Sequence, residues 1–149
     1  QLETELQRFP DWLVWHNLIS PYLEFHEVSA AKISTDTYRI TVVVKNSGWL
    51  PTYVTKMGLD KHQSRGIVSE IELPRDARLV SGQARLEFGQ LEGRAYKSTS
   101  PFHWAGMTKE PTDNRTKAEW VVTSKQGSIV KLKAHHDKAG SICTELKLR

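Results

Sequence analysis

Residues 37–55, TYRITVVVKNSGWLPTYVT, decide how the chain is read. Tyr38, Ile40, Val42 and Val44 alternate with Arg39, Thr41, Val43 and Lys45, the period of two that a half-buried pleat imposes. Asn46-Ser47-Gly48 then interrupts the pattern. A short polar side chain can bond its own backbone there, and a glycine can take positive φ. Pro51 keeps Leu50 extended rather than helical. A return strand is expected from Tyr53, so the segment reads as strand, shaped turn and return strand.

Working outward, further strands are expected over residues 22–33, 53–59, 67–73, 84–88, 117–123, 129–135 and 142–148. Turn chemistry at Ser34-Thr35-Asp36, Pro74-Arg75-Asp76 and Gly89 separates them. Short strands at near-regular spacing indicate a mainly β chain folded as an antiparallel β-sandwich of the immunoglobulin/fibronectin-like kind. Upstream, Leu2, Leu6 and Phe9, then Trp12, Leu13 and His16, recur at helical spacing. Pro10 is tolerated in a first turn, and Ser20-Pro21 ends the pattern. Residues 1–20 are therefore expected to be a helical lead-in, as one broken helix or two short ones, and residues 21–149 the sandwich.

The last three strands carry apolar residues at even positions: Ala118, Trp120 and Val122; Val130, Leu132 and Ala134; Ile142, Leu146 and Leu148. Cross-strand partners share a face, so their numbers must sum to an even value. Three-residue loops at Lys125-Gln126-Gly127 and Lys138-Ala139-Gly140 satisfy that condition in two successive hairpins. Each would end in a glycine of positive φ.

Composition narrows the function classes. The chain has 149 residues, and 21 Lys+Arg against 17 Asp+Glu leave a net charge of +4 with the signs mixed. A phosphate-binding surface clusters its bases, whereas Lys125, Lys131, Lys133 and Lys138 read as a solvated strand face. No nucleic-acid partner is expected. No apolar run approaches the ~20 residues of a membrane span, so no membrane partner is expected either. Cys143 is the single cysteine, which excludes an internal disulfide and reads as an inert strand thiol.

Catalytic patterns are missing. Three residues after the six histidines stand Ile19, Ser29, Arg65, Gly106, Lys138 and Ala139, so no H-x-x-E zinc motif occurs. His26-Glu27 is not followed by a histidine at the spacing of H-E-x-x-H, and no G-x-S-x-G elbow is present. His135 and His136 are adjacent, and neighbours on a strand face opposite ways. The preferred reading there is an edge histidine bonded to backbone or water. No catalytic residue, metal ligand or cofactor is assigned to this chain.

Aromatic residues are the remaining lead. Trp49, Tyr53 and Trp104 could stack on sugar rings, which would make a glycan- or cell-wall-binding module. The preferred alternative is that Trp49 and Trp104 cover the ends of the sandwich core. Phe9, Trp12 and Trp15 on the lead-in helix are expected to pack on the chain's own sheet, or in part to form an interface with a neighbouring domain.

The stretch VVVKNSGWLPTYVTK at residues 42–56 resembles the V-x-N-x-G-x-LPT-x-V-T segment of bacterial zinc carboxypeptidases of the carboxypeptidase A type, in their C-terminal region. FPDWLVWHNLISPYLEF at 9–25, GQLEGR at 89–94 and AEWVVTSKQGSIVKLKAHHDKAGSICTELKL at 118–148 fit the same family in the same order. Residues 60–66 and 97–114 fit it least. The resemblance implies an accessory β-domain that follows a peptidase domain in one bacterial polypeptide. Peptide hydrolysis and the zinc would then belong to that peptidase domain, which would be the partner of this non-catalytic chain.

Overall fold

The structure is a computed structural model that describes residues 6–7, 9–94 and 113–149. Helix α1 (Phe9–Ile19) is followed by strands β1 (Leu23–Ser34) and β2 (Thr37–Asn46) and a short helix α2 (Lys56–Asp60). Six strands complete the described elements: β3 (Val68–Glu72), β4 (Arg78–Ser81), β5 (Arg85–Glu87), β6 (Arg115–Thr123), β7 (Ile129–His136) and β8 (Gly140–Lys147). They form two antiparallel sheets, ordered β1-β2-β6-β4 and β5-β3-β7-β8. Taken as A-B-E-D facing C-F-G, with β5 added outside β3, this is the immunoglobulin-type sandwich arrangement.

The expected alternation builds the core. Tyr38, Ile40, Val42 and Val44 of β2 pack with Ala118, Trp120 and Val122 of β6 against Val130, Leu132 and Ala134 of β7. Trp120 is fully buried and its indole N–H donates to the Gln83 carbonyl at 2.7 Å, which satisfies the ring's one polar group. The β1–β2 hairpin turns through Thr35-Asp36, with Ser34 opposite Thr37.

Three expectations fail. The return strand over 53–59 does not form. Val54 takes φ +63, and Thr55 becomes the N-cap of α2, its side chain accepting the Gly58 N–H at 3.1 Å. A threonine hydroxyl placed before a helical turn competes with the strand conformation through this bond. The predicted β6–β7 hairpin is instead a crossover, since β6 and β7 lie in opposite sheets. Even-numbered apolar residues on two consecutive strands suit a hairpin and a pair of facing strands equally well. The third correction is β4, which the sequence reading left out. It pairs with β6 through Arg78↔Thr123 and Leu79↔Val122.

The two glycines do behave as expected. Gly127 has φ +89 and Gly140 φ +83, and the β7–β8 register runs from Ile129↔Lys147 to His136↔Gly140 with every sum even, but the loop is Asp137-Lys138-Ala139, one residue earlier than expected, because Gly140 opens β8.

Candidate functional site

The end of the sandwich where β2 finishes is tied together by a buried polar joint. Asn46 is fully buried. Its Oδ1 accepts the N–H groups of Tyr22 and Gly48, each at 3.0 Å. Its Nδ2 donates to the carbonyls of Leu50 at 2.8 Å and Glu92 at 3.2 Å. All four bonding positions of the carboxamide are thus used, and one side chain joins the start of β1, the turn after β2 and residues 90–94. The bond to Gly48 is the local one that the Asn-Ser-Gly sequence suggested.

Two glycines let these segments meet. A Cβ on Gly48 would lie 2.1 Å from the Ser20 carbonyl oxygen, and one on Gly93 would lie 2.3 Å from that of Trp49. Gly48 is needed for close approach, not for positive φ. The Arg94 N–H donates to the Gly48 carbonyl at 2.9 Å. Thr52 lies beside Leu91: its N–H donates to the Leu91 carbonyl, and its Oγ1 accepts the Leu91 N–H at 2.9 Å. The two motifs N-x-G-x-LPT and QLEGR are therefore two halves of a single joint.

His136 extends it. The ring is buried, its Nδ1 accepts the Lys138 N–H at 3.0 Å, and Nε2 lies 3.0 Å from Gln90 Oε1. Because Nδ1 accepts, Nε2 carries the proton and donates to Gln90. Gln90 Oε1 also accepts from Thr52 Oγ1 at 2.7 Å, while Gln90 Nε2 donates to the carbonyls of Ser64 and Arg65. Burial holds the imidazole below its ordinary range. His136 is thus an interior histidine rather than the expected edge one, and His135 is only partly buried.

The joint anchors an apolar surface. The foot of α1 is held by the Leu50 N–H, which donates to the Ile19 carbonyl at 2.9 Å, and by Ser20 Oγ, which donates to the His16 carbonyl at 2.7 Å. The body of the helix has no buried residue. Phe9, Trp12 and Trp15 are each about half exposed, at 53–54 %, and Leu18 is 70 % exposed. The expectation that this helix packs on its own sheet is overturned: the run Trp12-Leu13-Val14-Trp15 has no polar face to give solvent and no sheet beneath it. That run was the available signal, since an amphipathic helix would have alternated.

Trp49 is 53 % exposed, so it does not cover the end of the core as preferred. Tyr53 is partly buried, and its hydroxyl donates to the Glu92 carboxylate at 2.9 Å. Trp104 lies outside the described residues. Val54, between Tyr53 and α2, is a β-branched residue at positive φ, a conformation that costs roughly 1–3 kcal/mol. The Val54 N–H donates to the Pro51 carbonyl and the Thr55 N–H to that of Tyr53. A groove of about 540 Å³ at the foot of α1 is lined by Leu18, Tyr22, Gly48 and the β7–β8 turn. No group of three or more metal-ligating side chains occurs among the described residues. No described helix is long and apolar enough to cross a membrane.

No curated protein matches the chain. Among solved structures it is similar to the GAE domain of GGA2p from Saccharomyces cerevisiae, at 14 % identity and a TM-score of 0.47, over 87 % of this chain and 92 % of that one. The family model of a domain of unknown function, DUF8731, matches residues 22–147. That span starts at Tyr22, whose N–H the Asn46 carboxamide holds, and runs through the joint to the last strand. The chain therefore belongs to the DUF8731 domain family.

Proposed function

We propose that this chain is a non-catalytic accessory domain that works by packing, with α1 docked on a zinc carboxypeptidase-like domain of the same polypeptide. One observation carries the reading: α1 buries none of its residues on the sandwich, although Phe9, Trp12, Leu13, Val14, Trp15 and Leu18 follow one another along it. A helix this rich in large apolar side chains, with none of them buried, is the kind that lies against a larger protein. The identity of the partner rests on the sequence resemblance. The most telling parts of that resemblance, N-x-G-x-LPT and QLEGR, build the joint that fixes the helix foot. The buried polar groups of the joint are spent on backbone and on one another, a scaffold's use of them. Any zinc would reside in the peptidase-like domain.

The test is the reading frame upstream of Gln1 together with the joined protein. A peptidase-like domain with an H-x-x-E motif is expected there. In the joined protein, Trp12→Asp with Trp15→Asp is expected to lower the melting temperature of the peptidase part. A frame without such a domain, or an unchanged melting temperature, would defeat the reading.

A second reading is favoured by the exposure of Trp49: a glycan-binding module using Trp49 and Tyr53. Retention on insoluble polysaccharide that Trp49→Ala abolishes would support it.

A further inference from the structure

We infer that the open edge of β8 binds an extended peptide segment, which adds as an antiparallel strand and ends with its free carboxylate at Lys138. The inference goes beyond the packing role of α1 and does not depend on what that helix meets.

Strand addition needs a row of backbone groups facing outward from a sheet edge. Among the described residues, β8 ends its sheet and pairs with β7 alone, without a register shift over its eight residues. The Leu148 N–H donates to the Ser128 carbonyl, and the Leu148 carbonyl accepts the Gly127 N–H, so the backbone of Leu148 faces β7. Alternation then turns the N–H and C=O of Ser141, Cys143, Glu145 and Lys147 toward the open side. The other edges of the described sheets are blunted. β1 has register shifts at Phe25/Glu27 and Lys32/Ser34, while β4 and β5 have four and three residues. Bulges and shortness close an edge to pairing. β8 has neither, and no proline.

The side chains beside that row leave a place for a strand. β1 and β8 are neighbouring edges of the two facing sheets. Phe25, Val28 and Ala30 of β1 and Ile142 and Leu146 of β8 pack on the core but are only partly buried. An apolar seam therefore runs between the sheets. On an added strand, residues opposite Ile142, Thr144 and Leu146 share their face and would cover this seam. Residues opposite Cys143 and Glu145 would point to water, as those two exposed side chains do. The fitting peptide thus alternates apolar and polar residues.

The end of the row fixes its direction. The Ala139 carbonyl, next in line, already accepts the Leu23 N–H at 3.2 Å, so an added strand stops beside Gly140. It stops at the groove of about 540 Å³ at the foot of α1, lined by Leu18, Tyr22, Ser141 and Ile142, with Lys138 as its one charged lining residue. Asp137, exposed on the same turn, does not line it. The carbonyls of His16, Asn17 and Ile19 at the helix end are bonded by Ser20 Oγ, the Ser20 N–H and the Leu50 N–H. An antiparallel strand brings its C-terminus here, where carboxylate and ammonium form a charge-assisted pair. A parallel strand would set one ammonium against another. A second copy fits worse than a peptide. Two β8 strands paired over their full length, residue 141 opposite 147, would bring Lys147 and Arg149 of one copy to Lys138 of the other.

The test titrates the chain with a pool of fluorescein-labelled heptapeptides that carry Val, Ile, Leu or Phe at the second, fourth and sixth positions and free C-terminal carboxylates. Micromolar binding is expected by fluorescence anisotropy, weakened about 10-fold or more by amidating the peptides and by Lys138→Glu. Glu145→Pro removes one N–H of the open row without touching the β7 ladder, and should abolish binding. The unmutated chain gives a readout that no folding defect can imitate. With the pool at saturation, amide hydrogen exchange at Ser141, Cys143, Glu145 and Lys147 should slow about 10-fold or more. Exchange at Ile142, Thr144 and Leu146, already bonded to β7, should not change. Absent binding, or open-row amides that exchange as before, would overturn strand addition. Equal binding of the acid and amidated pools would overturn the terminal carboxylate. Protection of the same amides by a concentration-dependent dimer, without peptide, would overturn the peptide as occupant.

Discussion

The Asn46 carboxamide accepts the Tyr22 N–H at 3.0 Å across 24 residues of sequence, and with its other three bonds it fixes where β1 begins relative to where β2 ends. Asn46→Ala would leave two N–H groups and two carbonyls without this partner. At about 1–3 kcal/mol for each buried group left unsatisfied, partly relieved by water, a loss of at least about 3 kcal/mol is expected in urea unfolding. Asn46→Asp is the sharper probe. It keeps the acceptor for Tyr22 and Gly48 but turns an oxygen toward the Leu50 and Glu92 carbonyls. Its stability should therefore recover in part at acid pH, where a protonated carboxyl can donate again. A variant as stable as the parent at neutral pH would contradict the network.

Glycine substitutions separate three physical situations. At Gly48 and Gly93 a methyl group would meet backbone oxygens at 2.1 and 2.3 Å, so alanine must displace the chain and should cost several kcal/mol, as overpacking at a fixed backbone does. At Gly127 and Gly140 there is room, but φ is +89 and +83, and alanine should cost about 1 kcal/mol through conformation alone. Gly89 has neither constraint, with no atom within 4 Å of a built Cβ, and alanine there should be within about 0.5 kcal/mol of neutral. Thermal melts of the five variants should fall in that order.

These glycines also mark what could be read without coordinates. Turn chemistry located the positive φ of Gly127 and Gly140, and parity the even sums of the β7–β8 pairs but not their register, because alternation is local and any even sum satisfies it. Parity does not say which sheet a strand joins, so a hairpin and a crossover between β6 and β7 read alike. The 53–59 stretch is expected as the return strand after the Asn46-Ser47-Gly48 turn, yet Thr55 caps α2. Of the site, the aromatic residues of α1 and Trp49 were visible as candidates. Their exposure was not, because whether a ring covers a core depends on where distant strands end. The link from Gln90 to Thr52 and His136 spans 38 and 46 residues, and no spacing rule reaches that far.

His136 should make stability depend on pH. Burial is the leading cause of its lowered pKa; the nearby Asp137 and the Arg65 carbonyl act in the opposite direction, and His135 and Lys138 reinforce it. The unfolded chain then binds a proton that the folded chain refuses, so falling pH favours unfolding. Stability is complete above about 6.5, the ordinary imidazole value, and is lost progressively as pH falls from there through the lowered folded value. Protonation would also turn an N–H at Nδ1 toward the Lys138 N–H, breaking that bond. The urea midpoint should drop between pH 7 and pH 5. His136→Gln should be less stable at pH 7 but show a shallower drop. His26, shifted the same way by desolvation first, lies on the exposed side of β1 and remains in both proteins. An equal slope in parent and variant would remove His136 as the cause.

Deleting α1 separates a docking helix from a structural one. A helix that covered the core would carry buried apolar residues, and its loss would expose the partners beneath, at roughly 1.5–3 kcal/mol for each large side chain uncovered. No residue of Phe9–Ile19 is buried, and the core cluster draws on none of them. Its ties to the sandwich are at its foot, where Ile19 accepts the Leu50 N–H and Ser20 is followed by the buried Pro21. A chain beginning at Ile19 keeps those contacts. Its melting temperature should lie within a few degrees of the parent, with an unchanged urea m-value, and its solubility should rise because the Trp12–Trp15 run is gone. A fall of 10 °C or more would mean that the helix supports the sandwich after all, and the docking role would fall with it.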